Sequence, residues 1–564
     1  MVFFLRYELK IFNNKKKKEK EKEKAASIFT TINGDKERHK QTTEINDMEQ
    51  VTENIKKCIA DRESTLANLE LINTVDDQAV LEDFALKEGA EVVVEALAKH
   101  SRDPKVLGCG FTLLSKLALL PEAGKHVGKK AVVLAALNGI QKCQGDPEAQ
   151  LKALNLLCVT AKFIGEELWD EVGKHAAAVI GAVDESKGDP KVQRLGLQLL
   201  SLLYLNTHGS DTDPRGEGIR VAVDAVKRFP DDAAIQRYGL GVMGLIQLGN
   251  SEQQERVAEF GGVEAAIAAM RKWGEDPVIQ GWGCYALGSA GFGNKKLQSR
   301  AQKLGGVACV VDALRKFGGD ENVQEWGIRT LAFLAHDNLD VQIELYANGI
   351  EASLEAMKAH PALAGVQQWG ANLVSCLASS DQTLFRDKIV ALGGVDVVLS
   401  GIRQLRDEEK VQASGIQALG LLGSRRCEEV QKQVVFKEKG FDDIVYAMIS
   451  YETNRDVLAA CCYAIKELTA GNAEAQEEFG NTFSGVESVL SAIVSHEDCV
   501  GLQREAWGVI ANISENAGCL GKFLMYEGIE TTHKFMKMYC TDESIQRSCL
   551  SILLNIGTLA LKEN

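Results

Sequence analysis

The stretch DPVIQGWGCYALGSAG, residues 276–291, decides the fold. It sets four glycines among the apolar spacing of a helix, and its centre returns as NVQEWG at 322–327 and VQQWG at 366–370. Aligned on the glutamine, the chain gives a column of Leu107, Gln150, Gln193, Gln236, Gln280, Gln324, Gln367, Gln412, Leu458, Gln503 and Gln546, in steps of 43 to 46 residues. Eleven repeats therefore tile residue 89 to the C-terminus. Self-similarity at this period marks a stack of supersecondary units, each too small to bury a core alone.

Three residues after the column every repeat has a small side chain, from Gly110 and Ala153 through Gly283 and Gly327 to Cys549. Four residues before it stand Asp103, Asp146, Asp189, Asp232, Asp276, Asp320, Asn454 and Asp542, followed by Pro in four repeats. A carboxylate or amide that accepts from free N–H groups, with Pro in the first turn, starts a helix. Eighteen residues before the column nine repeats place a Gly, followed by apolar residues at the first, fifth and eighth positions, as in Val263, Ile267 and Met270. That spacing is one face of a second helix. The constant interval from Gly to Gln locks two helices as a block, and a variable short helix or loop joins the blocks. Gly283 is then a packing glycine where the third helix touches a neighbour, not part of a phosphate loop. Gly281 and Gly288 fall outside the column.

The openings Gly261-Gly262-Val263, Gly305-Gly306-Val307 and Gly393-Gly394-Val395, with third helices of the form Q-x-x-small-x-x-x-L, resemble the armadillo family over about residues 50–564. The resemblance implies an all-α fold, a right-handed α-solenoid of about eleven armadillo-type repeats. The expected organisation is a disordered charged extension over 1–47, capping helices over 48–88 and the solenoid over 89–564. The family includes transport receptors, junction proteins, chaperones and scaffolds, so it is specific for fold and not for function.

Composition narrows the function classes. Residues 48–564 carry 52 Lys and Arg against 71 Asp and Glu, an acidic body that disfavours nucleic acid and suits basic or neutral protein partners. The run NNKKKKEKEKEKAAS at 13–27 alternates sign, which weakens any membrane docking through the N-terminus. The 14 cysteines form no CxxC, against a zinc site or disulfide framework and in favour of the reducing cytoplasm. No window is read as the ~18 apolar residues of a membrane span. GLGVMG at 239–244 matches a dinucleotide fingerprint by letter, but Gly239 occupies the mid-helix packing slot, where no strand-to-helix turn exists to hold a pyrophosphate. No HExxH, GxSxG or GxxxxGK[ST] is present. His533, at the fifth position of a second helix, reads as a core histidine. No catalytic residue, metal, cofactor or small-molecule substrate is expected.

In importin-type armadillo proteins an Asn near the end of each third helix clamps an extended peptide, which the resemblance places six residues after the small slot. Only Asn512 and Asn555 match, so an importin-type groove lacks most of its amides. Seven residues earlier stand Tyr238, Trp282, Trp326 and Trp369 in four successive repeats. Two readings stay open: rings that fill the core between repeats, or a strip on a concave surface where aromatic residues make binding hot spots. The candidate partner-binding residues are Tyr238, Trp282, Trp326, Trp369, Asn512 and Asn555. The leading function is a non-enzymatic interaction scaffold or adaptor holding a protein in the solenoid groove. The alternatives are a transport or cargo receptor and a client-binding assembly chaperone or exchange factor.

Overall fold

The structure, a computed structural model, describes residues 48–563 apart from 121, 128, 144, 208–212, 214, 381 and 426. The charged extension expected over residues 1–47 lies outside the described residues. Every regular element among them is a helix. The chain divides into two compact units at residues 265 and 266, inside the helix Gly262–Lys272.

Within each unit one set of helices runs side by side, and these are labelled in chain order. The first unit holds α1 (Arg62–Asn73), α2 (Pro104–Ala118), α3 (Pro147–Thr160), α4 (Pro190–Asn206) and α5 (Ala233–Gln247). The second unit holds α6 (Pro277–Gly291), α7 (Glu321–Ala335), α8 (Ala364–Ala378), α9 (Glu409–Gly423), α10 (Arg455–Thr469), α11 (Val500–Ile513) and α12 (Glu543–Glu563). From α2 onward these are the third helices of the eleven repeats, and α1 packs on α2 in the same manner. The second helices, such as Gly306–Lys316 and Gly394–Gln404, form a parallel layer behind them.

The third helices start where the sequence placed them. Asp103, Asp146, Asp189, Asp232, Asp276, Asp320, Asn454 and Asp542 each accept a hydrogen bond from a backbone N–H of the first turn. The small column is required by the repeat's own second helix. A Cβ on Gly283 would lie 2.3 Å from Met270 Cγ, one on Gly239 2.4 Å from Val226 Cγ2, and one on Gly327 2.6 Å from Leu314 Cδ2. Gly288 answers to the next repeat instead, since a Cβ there would meet Thr330 Oγ1 at 2.5 Å, and Thr330 donates across to the carbonyl of Cys284 at 2.7 Å. Gly281 likewise faces Trp326 of the next third helix, at 3.3 Å.

The glutamine column has a job its spacing did not reveal. Gln324 Nε2 donates to the carbonyls of Leu314 and Phe317, and Gln280 does so to Met270 and Trp273. The same pair of bonds recurs for Gln193, Gln236, Gln367, Gln412, Gln503 and Gln546. Each amide thus satisfies carbonyls that the end of the second helix leaves without an intrahelical partner. A second amide closes the third helix: Gln298 donates to the carbonyls of Gly291 and Phe333, Gln342 to Ala335 and Gln476 to Thr469. Its sequence mark, an N-capping Asn four residues earlier (Asn294, Asn338, Asn472), escaped the sequence reading.

Three expectations need correction. In the repeat of α8 the first and second helices are one, Leu339–Ala359, and Asn348 before Gly349 is not among the residues of positive φ that break the chain at this joint in other repeats. His533 is exposed, not core. The fifth position packs under the following repeat, as Ile267 does against Gly306 and Leu399 against Gly440, and no described helix follows α12 to cover His533. Finally, Glu543–Leu561 of α12 has a mean hydropathy of 1.2 and is long and apolar enough for a membrane span by length and composition. Its buried side chains, Ile545, Cys549 and Ile552, alternate with exposed Leu550 and Leu554, as on an amphipathic helix.

Candidate functional site

The second unit's third helices carry a stripe two and five residues after the column, and Trp282, Tyr285, Trp326 and Trp369 lie on it. Trp282 on α6 is 4% exposed, whereas Trp326 on α7 and Trp369 on α8 are half-buried. Their rings are joined across helices. Trp282 and Trp326 centroids are 5.0 Å apart, Tyr285 lies 5.8 Å from Trp282 and 5.3 Å from Trp326, and Phe333 lies 4.9 Å from Trp369. Between the two ring groups sits Arg329, its guanidinium 5.8 Å from Tyr285 and 5.2 Å from both Phe333 and Trp369. Three successive third helices thereby contribute to one aromatic array around a cation. A ring face carries partial negative charge and attracts a guanidinium at these distances. Tyr285, Phe333 and Arg329 were missed by the sequence reading, because they fall one and two turns further along the same stripe and share no column with the tryptophans.

Burial sets the local electrostatics. It raises the carboxyl of Glu325 above its usual range, and Arg329, one turn away on α7, opposes that rise. It also raises the Tyr285 phenol, again with Arg329 acting the other way. Next to the array, α8 to α11 form an open cleft of about 620 Å³, lined by polar side chains including Gln368, Asn372, Gln417, Tyr463 and Glu505.

The remaining candidates are placed elsewhere. Tyr238 is half-buried on α5 of the first unit. The Asn512 amide nitrogen donates to the carbonyl of Lys466 at 2.8 Å, closing α10, and that of Asn555 donates to Ser514 Oγ at 2.8 Å. Both amides therefore tie one third helix to the one before it. No group of His, Cys, Asp and Glu suited to a metal ion occurs among the described residues.

No family model matches the sequence, and no curated protein matches it. Solved structures do match. A chain from a structure concerned with a phosphorylation switch in the interaction between cadherin and beta-catenin is similar over 87% of this chain and 90% of its own, with a TM-score of 0.58 and 15% identity. A structure of Uso1-1 is similar over 89% of this chain and 95% of its own, with a TM-score of 0.50 and 9% identity. The chain is a helical-repeat solenoid. At these identities the likeness extends to the solenoid fold alone, and the site must be argued from its own residues.

Proposed function

We propose that this solenoid is a non-enzymatic protein-interaction scaffold of armadillo type, and that the aromatic array on α6, α7 and α8 holds a segment of its partner. The observation that carries the reading is the placement of Arg329 among Tyr285, Phe333 and Trp369: a cation and two rings from three successive repeats are half-buried around the buried ring of Phe333. Trp, Tyr and Arg are the residues that dominate binding energy at such surfaces. A cytoplasmic location belongs to the same reading and is supported by cysteines that all stand as free thiols among the described residues.

The test combines capture and stability. Partners retained by the intact protein are identified by mass spectrometry and their retention is remeasured on single variants. Trp369→Ala should cost about 2 kcal/mol or more of binding, roughly thirtyfold, with little change in melting temperature. Trp282→Ala, by contrast, empties a buried site and should lose about 3–5 kcal/mol of stability. Full retention by both Trp326→Ala and Trp369→Ala refutes the assignment of this face.

A further inference from the structure

The first unit presents a different chemistry on its third helices. Between α2, α3 and α4 lies a cleft of about 490 Å³ whose wall includes Lys116, Lys152, Lys191 and Arg194, the leucines 119, 151 and 195, and no carboxylate. Two of the cations are matched by acids outside the cleft, Lys152 by Glu148 at 2.8 Å and Arg194 by Asp232. The Lys116 ammonium donates to the backbone carbonyl of Asn73, and Lys191 gives only its backbone N–H to Asp189; the ammonium of neither is paired with a carboxylate among the described residues. Ser115 Oγ is buried in the same wall with no hydrogen-bond partner among the described residues.

The four cations stand at four different repeat positions, Lys191 two residues before the column, Arg194 one after it, Lys152 two after it and Lys116 nine after it. The cleft thus opposes the acidic body around it, and its sign is opposite to the one the net charge suggested for a partner.

We propose that this cleft binds an acidic, leucine-bearing segment of a partner protein. Carboxylates on the segment meet Lys116 and Lys191, whose charge the fold leaves unmatched. Its aliphatic side chains cover the three leucines, of which Leu119 is 41% exposed. A nucleic-acid backbone would satisfy the charge but offers no aliphatic side chain to the leucines. The proposal stands on different residues from the aromatic array and does not depend on it.

The full chain is titrated with a fluorescein-labelled peptide of Glu-Glu-Leu-Leu repeats and followed by anisotropy. Binding should weaken steeply as salt rises from about 0.05 to 0.5 M. The Lys116→Glu/Lys191→Glu double variant should weaken it about tenfold or more, and Trp369→Ala should leave it unchanged. Should the double variant lose its helical circular dichroism, Lys191→Gln at an exposed position gives the answer, with a smaller loss in the same direction. Equal binding of a Gln-Gln-Leu-Leu peptide, no binding of the acidic one, tighter binding of labelled single-stranded DNA, or indifference to Lys191→Gln overturns the proposal.

Discussion

Gly305 has a φ of 77°, and Gly261 and Gly393 hold 75° and 78° at the same joint between first and second helices. Four other repeats put a side chain in that left-handed conformation: Glu88 at 62°, Lys439 at 51°, Ser484 at 55° and Glu527 at 57°. For an L-residue the contact of Cβ with its own backbone costs about 1–2 kcal/mol there. Gly305→Ala should therefore lower stability by about that amount. Ser484→Gly should raise it by up to ~1 kcal/mol, since relief of the contact is partly offset by the freer unfolded chain. Urea denaturation of both variants beside the parent measures the two effects with opposite sign. The paired glycines of the joint were legible in the sequence, because only Gly takes this conformation freely. The exposure of the tryptophans was not: Trp282, Trp326 and Trp369 share one slot, yet only Trp282 is covered, and coverage depends on what the adjoining repeat places beside each ring.

At the scale of a helix, capping explains both what the sequence revealed and what it withheld. Asp-Pro starts are local, and a short carboxylate three residues from the N–H it accepts can be recognised in a single line of text. The glutamine amide reaches carbonyls seven and ten residues back, as from Gln324 to Phe317 and Leu314, so its role exists only once two helices have folded against each other. Gln324→Ala removes the side-chain donor from the Leu314 carbonyl and leaves the Phe317 carbonyl only the Asp320 N–H, and should cost about 1–3 kcal/mol. Faster amide hydrogen exchange in the last turn of Gly306–Lys316, ahead of the rest of that helix, would locate the loss; uniform exchange throughout the repeat would contradict it. Leu107 and Leu458 hold the same slot without an amide, and Gln150 turns its amide to Glu185 instead.

Over the whole molecule, repeats are fastened by arginine to aspartate. Arg220 bonds Asp184 at 2.9 Å, Arg504 bonds Asp542 at 2.8 Å, and Arg455 bonds Asp498 at 2.8 Å, each from a neighbouring repeat. The hydrogen bond from its arginine is the leading cause that holds each of these carboxyls below the usual range. A lowered folded-state pKa contributes stability that is fully present above the unfolded value, near 3.9 for aspartate, and lost as pH falls through the folded one. Stability should thus be flat near neutrality and fall below about pH 4. Arg220→Met should flatten part of that acid limb while changing little at pH 7, as pH-stepped denaturation will show. The uninterrupted helix Leu339–Ala359 has a mechanical consequence. Where other repeats of the second unit turn at a left-handed residue, this one inserts a strut of ~31 Å. A solenoid flexes like a spring, and this coil of it is stiff; under tension the extension is taken up by the joints on either side, at Gly305 and Gly393, while the strut keeps the rings of α7 and α8 in register.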